Sequence, residues 1–162
     1  MKTLYLMRHA KSSWKDNHLM DHERPLKKKG RKDAAGMGGL LSSKKRTPVI
    51  IYASTAERAR ETAGIMAEKS GYIGEVRYDQ KLYLAEPDTL IAFLHQVPDD
   101  VDCILLVGHN PGLEALVQVL SGKIVALSTA AIAHLQLPVD HWSAINLNTR
   151  GELAHLWMPK EK

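Results

Sequence analysis

The sequence predicts an α/β fold of three layers, α/β/α, with a mostly parallel central sheet and a C-terminal antiparallel hairpin. Three observations carry this expectation. Short apolar runs at residues 3–7, 49–53 and 102–107 read as strands buried on both faces. Each is followed, directly or after a loop, by a helical pattern, the alternation that covers a parallel sheet on both sides. In the last third the pattern turns to short strand-like runs separated by turn residues.

The elements follow in order. Residues 3–7 (TLYLM) lead into a polar stretch, 8–25, with no clear period. Residues 26–41 read as a helix, although Gly30, Gly36, Gly38 and Gly39 each lower its propensity. Residues 49–53 (VIIYA) form the second strand. Ser54 and Glu57 stand three apart as in a capping box, so Ser54 caps a helix running to Lys69, with Gly71 as its stop. A short strand at 75–78 precedes a helix from Pro87 to Gln96. After residues 102–107 (DCILLV), Asn110 reads as N-cap and Pro111 as the first residue of a helix ending near Gly122. Residues 131–137, 142–147 and 153–157 read as strands, the last two joined by a turn at Asn148-Thr149-Arg150-Gly151.

A length of 162 residues suits one domain spanning 1–162. No apolar run approaches the ~18 residues of a membrane span, and no signal-peptide pattern opens the chain. One cysteine excludes a disulfide framework and a thiolate-only zinc site. These features predict a cytoplasmic monomer without membrane partners. Net charge is +4. Nine Lys/Arg and one Asp between residues 24 and 46 give that segment +8, leaving −4 on the rest. No RNA-binding motif or aromatic interleaving accompanies it, so a nucleic-acid partner is not expected.

In open α/β sheets, ligands bind beyond the carboxyl ends of the strands. There the sequence places Arg8-His9, then Ser54-Thr55 with Arg58 a turn further, then Gly108-His109-Asn110-Pro111. Two arginines and two histidines converge. A cation in the first turn of a helix is disfavoured by about 0.3–1 kcal/mol. An anion at Arg58 reverses that sign, because helix N-termini and arginine forks both suit phosphate. The alternative is an ion pair with Glu57 or Glu61. His18 and His22 have the i, i+4 spacing of metal ligands, but Arg8 beside His9 opposes a cation and no carboxylate-rich cluster is evident. No metal and no cofactor are expected. Cys103, inside an apolar strand, reads as an inert thiol.

Arg8-His9-Ala10 resembles the Arg-His-Gly signature of the histidine phosphatase superfamily, the phosphoglycerate-mutase-like family, with Ala10 where glycine is commonest. Asp21-x-x-Arg24-Pro25-Leu26-x-x-x-Gly30, Ser54-x-x-x-Arg58-x-x-x-Thr62, Val107-Gly108-His109-Asn110-Pro111 and Ser128-Thr129-Ala130-Ala131-Ile132 are similar, in that order, to its small SixA-type phosphohistidine phosphatase branch. The resemblance spans nearly the whole chain and implies a phosphoglycerate-mutase-like fold. It implies that His9 is the nucleophile and forms a phosphohistidine intermediate, with Arg8, Arg58 and a protonated His109 around the phosphoryl oxygens. Asp21 and Arg24 look like a loop pair at the site edge. Ser12, Thr129 and the helix start at Asn110 are further candidate phosphate contacts, with Lys11 and Trp14 at the mouth.

Attack needs a lone pair on one ring nitrogen of His9, so the other must be held as N–H. The sequence leaves that acceptor unidentified. Larger members of the family use a carboxylate acid, for which Glu86 is the first candidate and Asp21 and Asp88 the others. Glu86 also reads as a helix-start carboxylate favoured by the dipole. The expected function is metal-independent hydrolysis of phosphohistidine in a phosphorylated protein. The alternatives are a phosphatase of a small phosphoester or phosphoramidate, and a phosphate-binding module without turnover.

Overall fold

The first strand, β1 (Lys2–Arg8), sends Leu4 and Leu6 to one face of the sheet and Tyr5 and Met7 to the other, and all four are buried. A strand covered on both faces has no polar positions to alternate, which explains its continuous apolar run. The computed structural model describes residues 1–160. The other elements are α1 (Lys28–Ser43), β2 (Ile50–Ala53), α2 (Glu57–Ser70), β3 (Arg77–Tyr78), α3 (Pro87–Leu94), β4 (Cys103–Gly108), α4 (Gly112–Ser121), β5 (Ile132–Leu137) and β6 (Glu152–Trp157). They form one sheet in the order β3-β2-β4-β1-β5-β6. The first four of these strands are parallel, and β5 is antiparallel to both β1 and β6.

The helices take the two faces in pairs. On one side α1 and α2 bring Ala34, Met37, Leu41, Ala59, Ala63 and Met66 against Tyr5, Met7, Ile51 and Val107. On the other, α3 and α4 bring Leu90, Leu94, Leu113 and Leu116 against Leu4, Leu6, Ile104 and Leu106. This is the three-layer α/β/α arrangement. The glycines of α1 divide into two kinds. Cβ atoms at Gly30 and Gly38 would stand 2.2 Å from the Lys11 carbonyl oxygen and 2.6 Å from Lys69 Cβ, so neighbouring chain occupies their space. Gly36 and Gly39 face nothing within 4 Å.

Three local expectations are corrected. The run at 142–147 is not a strand: Trp142–Ala144 is a 3₁₀ turn, and the hairpin pairs β5 with β6 instead. Trp142 and Ile145 are buried three residues apart, a spacing that suits one face of a tight helical turn. The indole Nε1–H of Trp142 donates to the Val101 carbonyl at 2.6 Å, anchoring the turn. Neither expected cap is one. Helix α2 starts at Glu57 after Ala56, and α4 starts at Gly112 after Pro111, with no side-chain cap at either. Ser54 and Asn110 hydrogen-bond elsewhere, as described below.

Candidate active site

Backbone hydrogen bonds fix the strand ends side by side. His9 N–H donates to the Gly108 carbonyl at 3.0 Å, and Ser54 N–H to the Val107 carbonyl at 3.1 Å. The residues that follow β1, β2 and β4 therefore open onto one cavity of about 400 Å³. Arg8, His9, Ser12, Asp21, Arg24, Arg58, His109, Asn110 and Thr129 all line it. Ala130, buried, braces the chain at Arg8 and His9. Its φ is 66°, a left-handed conformation, and its N–H points at the carbonyls of both Arg8 and His9, at 3.0 and 3.1 Å. The rings of His9 and His109 lie 5.2 Å apart between centroids.

The missing acceptor for His9 is the next peptide. His9 Nδ1 lies 2.8 Å from the Ala10 carbonyl oxygen, to which only an N–H can bond. The lone pair is thereby assigned to Nε2. The Ala10 N–H donates in turn to Thr62 Oγ1, whose hydroxyl donates to the Arg58 carbonyl, so the nucleophile's support is tied to α2. Burial, together with the charges of Arg58, Arg8 and Arg24, lowers the His9 pKa to about 4, against the opposing pull of the Ala10 carbonyl. His9 is neutral at neutral pH, as a nucleophile must be.

His109 departs from expectation. Burial, then the neighbouring His9 and Arg58, lower its pKa to about 3, so it is neutral rather than protonated. Its Nε2 lies 2.8 Å from Ser54 Oγ, which also accepts the Ala56 N–H at 3.2 Å. Because Ser54 Oγ already accepts the Ala56 N–H, we assign its hydroxyl hydrogen to His109 Nε2. His109 then carries its hydrogen on Nδ1, which is buried with no partner among the described residues. Arg8 Nε is in the same condition, while Arg8 Nη1 donates to the Leu127 carbonyl. Two donors thus lack a protein acceptor beside a cavity flanked by three arginines, the arrangement that suits an anion.

Arg58 and Arg24 share Asp21. Arg58 is 3% exposed and donates from Nη2 to Asp21 Oδ2 at 2.9 Å and from Nη1 to the Asp21 carbonyl at 2.6 Å. Arg24 Nη1 donates to Asp21 Oδ1 at 3.2 Å, its Nη2 to the Ser12 hydroxyl and its Nε to the Ser13 carbonyl. The Tyr83 hydroxyl donates to Asp21 Oδ2 at 2.5 Å. That hydroxyl, with Arg58 and Arg24, holds the Asp21 carboxyl down to about 2. Glu61, the alternative partner for Arg58, binds Leu26 N–H and Arg31 instead.

Residues 4–84 match the profile of the histidine phosphatase superfamily (branch 1). The chain belongs to that superfamily. An uncharacterised protein of Mycobacterium leprae is 35% identical over 153 residues, covering 93% of this chain and 91% of its own length. Two solved structures, of proteins assigned as phosphohistidine phosphatase SixA, have the same fold. The one from Agrobacterium tumefaciens has a TM-score of 0.83 at 25% identity, covering 98% of each chain. The one from Nakamurella multipartitia has a TM-score of 0.85 at 27% identity, covering 98% of this chain and 96% of its own. The chain is a phosphatase of SixA-like type.

Within this histidine phosphatase, two of the three candidate acids, Glu86 and Asp88, stand apart from the cavity. Glu86 is the exposed N-cap residue of α3 and does not line the cavity. Asp88, in the first turn of α3, is also exposed and also absent from the lining. Asn110 Nδ2 donates to the Leu127 carbonyl at 2.9 Å, which fixes the loop after β4 to the one before β5. Trp14 stands at the mouth, 73% exposed, with the Arg24 guanidinium 3.1 Å above its ring centre. His22 bonds Thr55 Oγ1 rather than pairing with His18. Burial pushes the Cys103 thiol up to about 11, well away from the cavity. Tyr83 was not legible as a site residue. Its sequence signal is only an aromatic shortly before Pro87, yet its ring packs edge-on against His109 and His22.

Proposed function

We propose that this phosphatase hydrolyses phosphohistidine on proteins, through a covalent phosphoryl-His9 intermediate and without a metal or other cofactor. The observation that carries the reading is the state of His9: neutral, with Nδ1–H held by the Ala10 carbonyl and the Nε2 lone pair left for phosphorus. His9 Nε2 attacks in line. The P–Nε2 bond forms as the bond from phosphorus to the substrate nitrogen breaks, and that nitrogen leaves with the electron pair. Water then attacks phosphorus, the P–Nε2 bond breaks and its electrons return to Nε2. Orthophosphate leaves, and the surplus water proton passes to solvent. The Arg8, Arg24 and Arg58 guanidiniums and the His109 Nδ1–H surround the equatorial oxygens, which is the electrostatic work phosphoryl transfer requires. Three guanidiniums in one cavity oppose a divalent cation there.

The acid–base chemistry favours a nitrogen leaving group. Asp21 is the only carboxylate lining the cavity among the described residues, and it is held ionised, so it cannot donate a proton at neutral pH. An alkoxide needs such a donor. A phosphohistidine protonated at its other ring nitrogen leaves as neutral imidazole and needs none. The single cysteine is consistent with a reducing compartment, the cytoplasm.

The test is rapid quench with labelled phosphohistidine protein. Active enzyme should carry phosphate that is acid-labile and alkali-stable, and His9→Ala should carry none and turn over nothing. Normal turnover by His9→Ala would remove His9 from the mechanism. A panel of phosphohistidine protein, phosphoramidate and sugar phosphates should rank the nitrogen-linked substrates first.

A further inference from the structure

The basic stretch at the start of α1 borders a second surface feature. Helix α1 and residues 158–160, after β6, wall a trough of about 470 Å³. It runs into a hollow of about 360 Å³ that shares Lys32, Asp33 and Lys160 with it. Met37, Leu40 and Met158 give the trough an apolar lining. Its rim is basic, with Lys28, Lys29 and Lys160, and Asp33 is bonded to Lys29 at 2.9 Å. Gly36 and Gly39 keep it open, since nothing lies within 4 Å of where their Cβ atoms would be. Glycine inside a helix costs roughly 0.5–1 kcal/mol relative to alanine. Packing within the molecule gives no reason for these two.

Both walls of the trough begin at the catalytic cavity. Lys27 lines the cavity, and the next residue, Lys28, lines the hollow. On the opposite wall the Ser128 hydroxyl donates to the Met158 sulfur at 3.2 Å, and Thr129 lines the cavity. Strand pairing sets Trp157, at the end of β6, level with Ile132 and Met7, so residue 158 emerges at the end of the sheet that holds His9. A small phosphorylated metabolite fills the cavity and has no atoms for the trough. A protein presenting a phosphorylated side chain has a chain on either side of it.

We infer that the trough docks an acidic, partly apolar segment of the phosphorylated protein, next to the residue it presents to His9. This rests on the protein-substrate reading above. The basic rim selects the acidic character, and the methionines and Leu40 select the apolar one.

The experiment compares two peptides on the full chain. One is several helical turns long, with Glu and Leu at helical spacing around a central phosphohistidine. The other keeps only the phosphohistidine and its immediate neighbours. Salt is held at about 0.3 M to screen long-range steering. The parent chain should favour the long peptide by about tenfold in kcat/KM, the equivalent of about 1.4 kcal/mol. Gly39→Leu fills the trough and should raise helix propensity. The double variant Lys28→Glu, Lys29→Glu reverses the rim. Each should abolish the preference and hydrolyse the short peptide like the parent, with no loss of Tm in Gly39→Leu. Equal rates on both peptides by the parent overturn the trough and leave the protein-substrate reading standing. Equal losses on both peptides in the variants overturn it as well. Failure of the parent on both, with a sugar phosphate hydrolysed, overturns the substrate reading and the trough with it.

Discussion

Lowering the pH from about 7.5 to about 5 should destabilise this protein by about 4 kcal/mol through two histidines alone. Burial and neighbouring positive charge hold the His9 pKa at about 4 and that of His109 at about 3 in the folded chain. In the unfolded chain each returns to about 6.5. Between 6.5 and those folded values the unfolded state binds more protons, so stability falls as pH falls. At pH 5 each histidine is protonated in the unfolded chain and neutral in the folded one, which costs about 2 kcal/mol per residue. For a domain whose net stability is about 5–15 kcal/mol, that is a large share. Urea unfolding at the two pH values, extrapolated linearly, measures it. His9→Gln and His109→Gln remove one titrating group each, so each should lose about 2 kcal/mol less than the parent over the same interval. If parent and variants lose equal stability, the two histidines are not held neutral by the cavity and the account of the nucleophile fails with them.

The same shift predicts that kcat/KM holds from neutrality down to about pH 5 and falls only as His9 takes up a proton near 4; an acid limb near 6.5 in the pH–rate profile would contradict it. Asp21→Asn leaves Arg58 and Arg24 without their shared carboxylate. Because Asp21 is 44% exposed, solvent limits the stability cost to about 1–2 kcal/mol, while kcat/KM should fall by about 10–100-fold as Arg58 loses its position. Unchanged kcat/KM would show that the arginines are held by other contacts. Ser54→Ala should lower kcat by about tenfold and move the ring ¹⁵N shifts of His109, with threonine at 54 restoring both; unaltered shifts would free the tautomer from Ser54. Gly112→Ala places a Cβ 1.9 Å from the Ala85 carbonyl oxygen. It should cost about 1–3 kcal/mol, read as a Tm lower by roughly 3–10 °C.

The sequence located the cavity because strand ends are easy to find. Apolar runs end abruptly, and whatever follows β1, β2 and β4 shares one edge of the sheet. Other parts were hidden for specific physical reasons. The acceptor for His9 is a backbone carbonyl, which no side-chain pattern reports. The Asp21–Tyr83 hydrogen bond joins residues 62 apart in the chain. Ser54 and Asn110 have capping chemistry and the right positions, but Ser54 bonds His109 and Asn110 holds the Leu127 carbonyl. Glu86 carries two readings in the sequence, since a carboxylate favoured by a helix N-terminus has the same address as a catalytic acid, and the structure places it at the start of α3. Trp142 and Ile145 read as part of a strand because an apolar pair at either spacing fills a short window.

The left-handed backbone at Ala130 makes that position a target for stabilising substitution. Residue 130 adopts a backbone shape that suits glycine, at a cost of order 1–2 kcal/mol for any residue with a side chain. A directed-evolution screen for heat resistance should therefore converge there and return Ala130→Gly. That variant would gain freedom about the bond that aims the 130 N–H at the Arg8 and His9 carbonyls. The position is one where robustness and turnover select different residues.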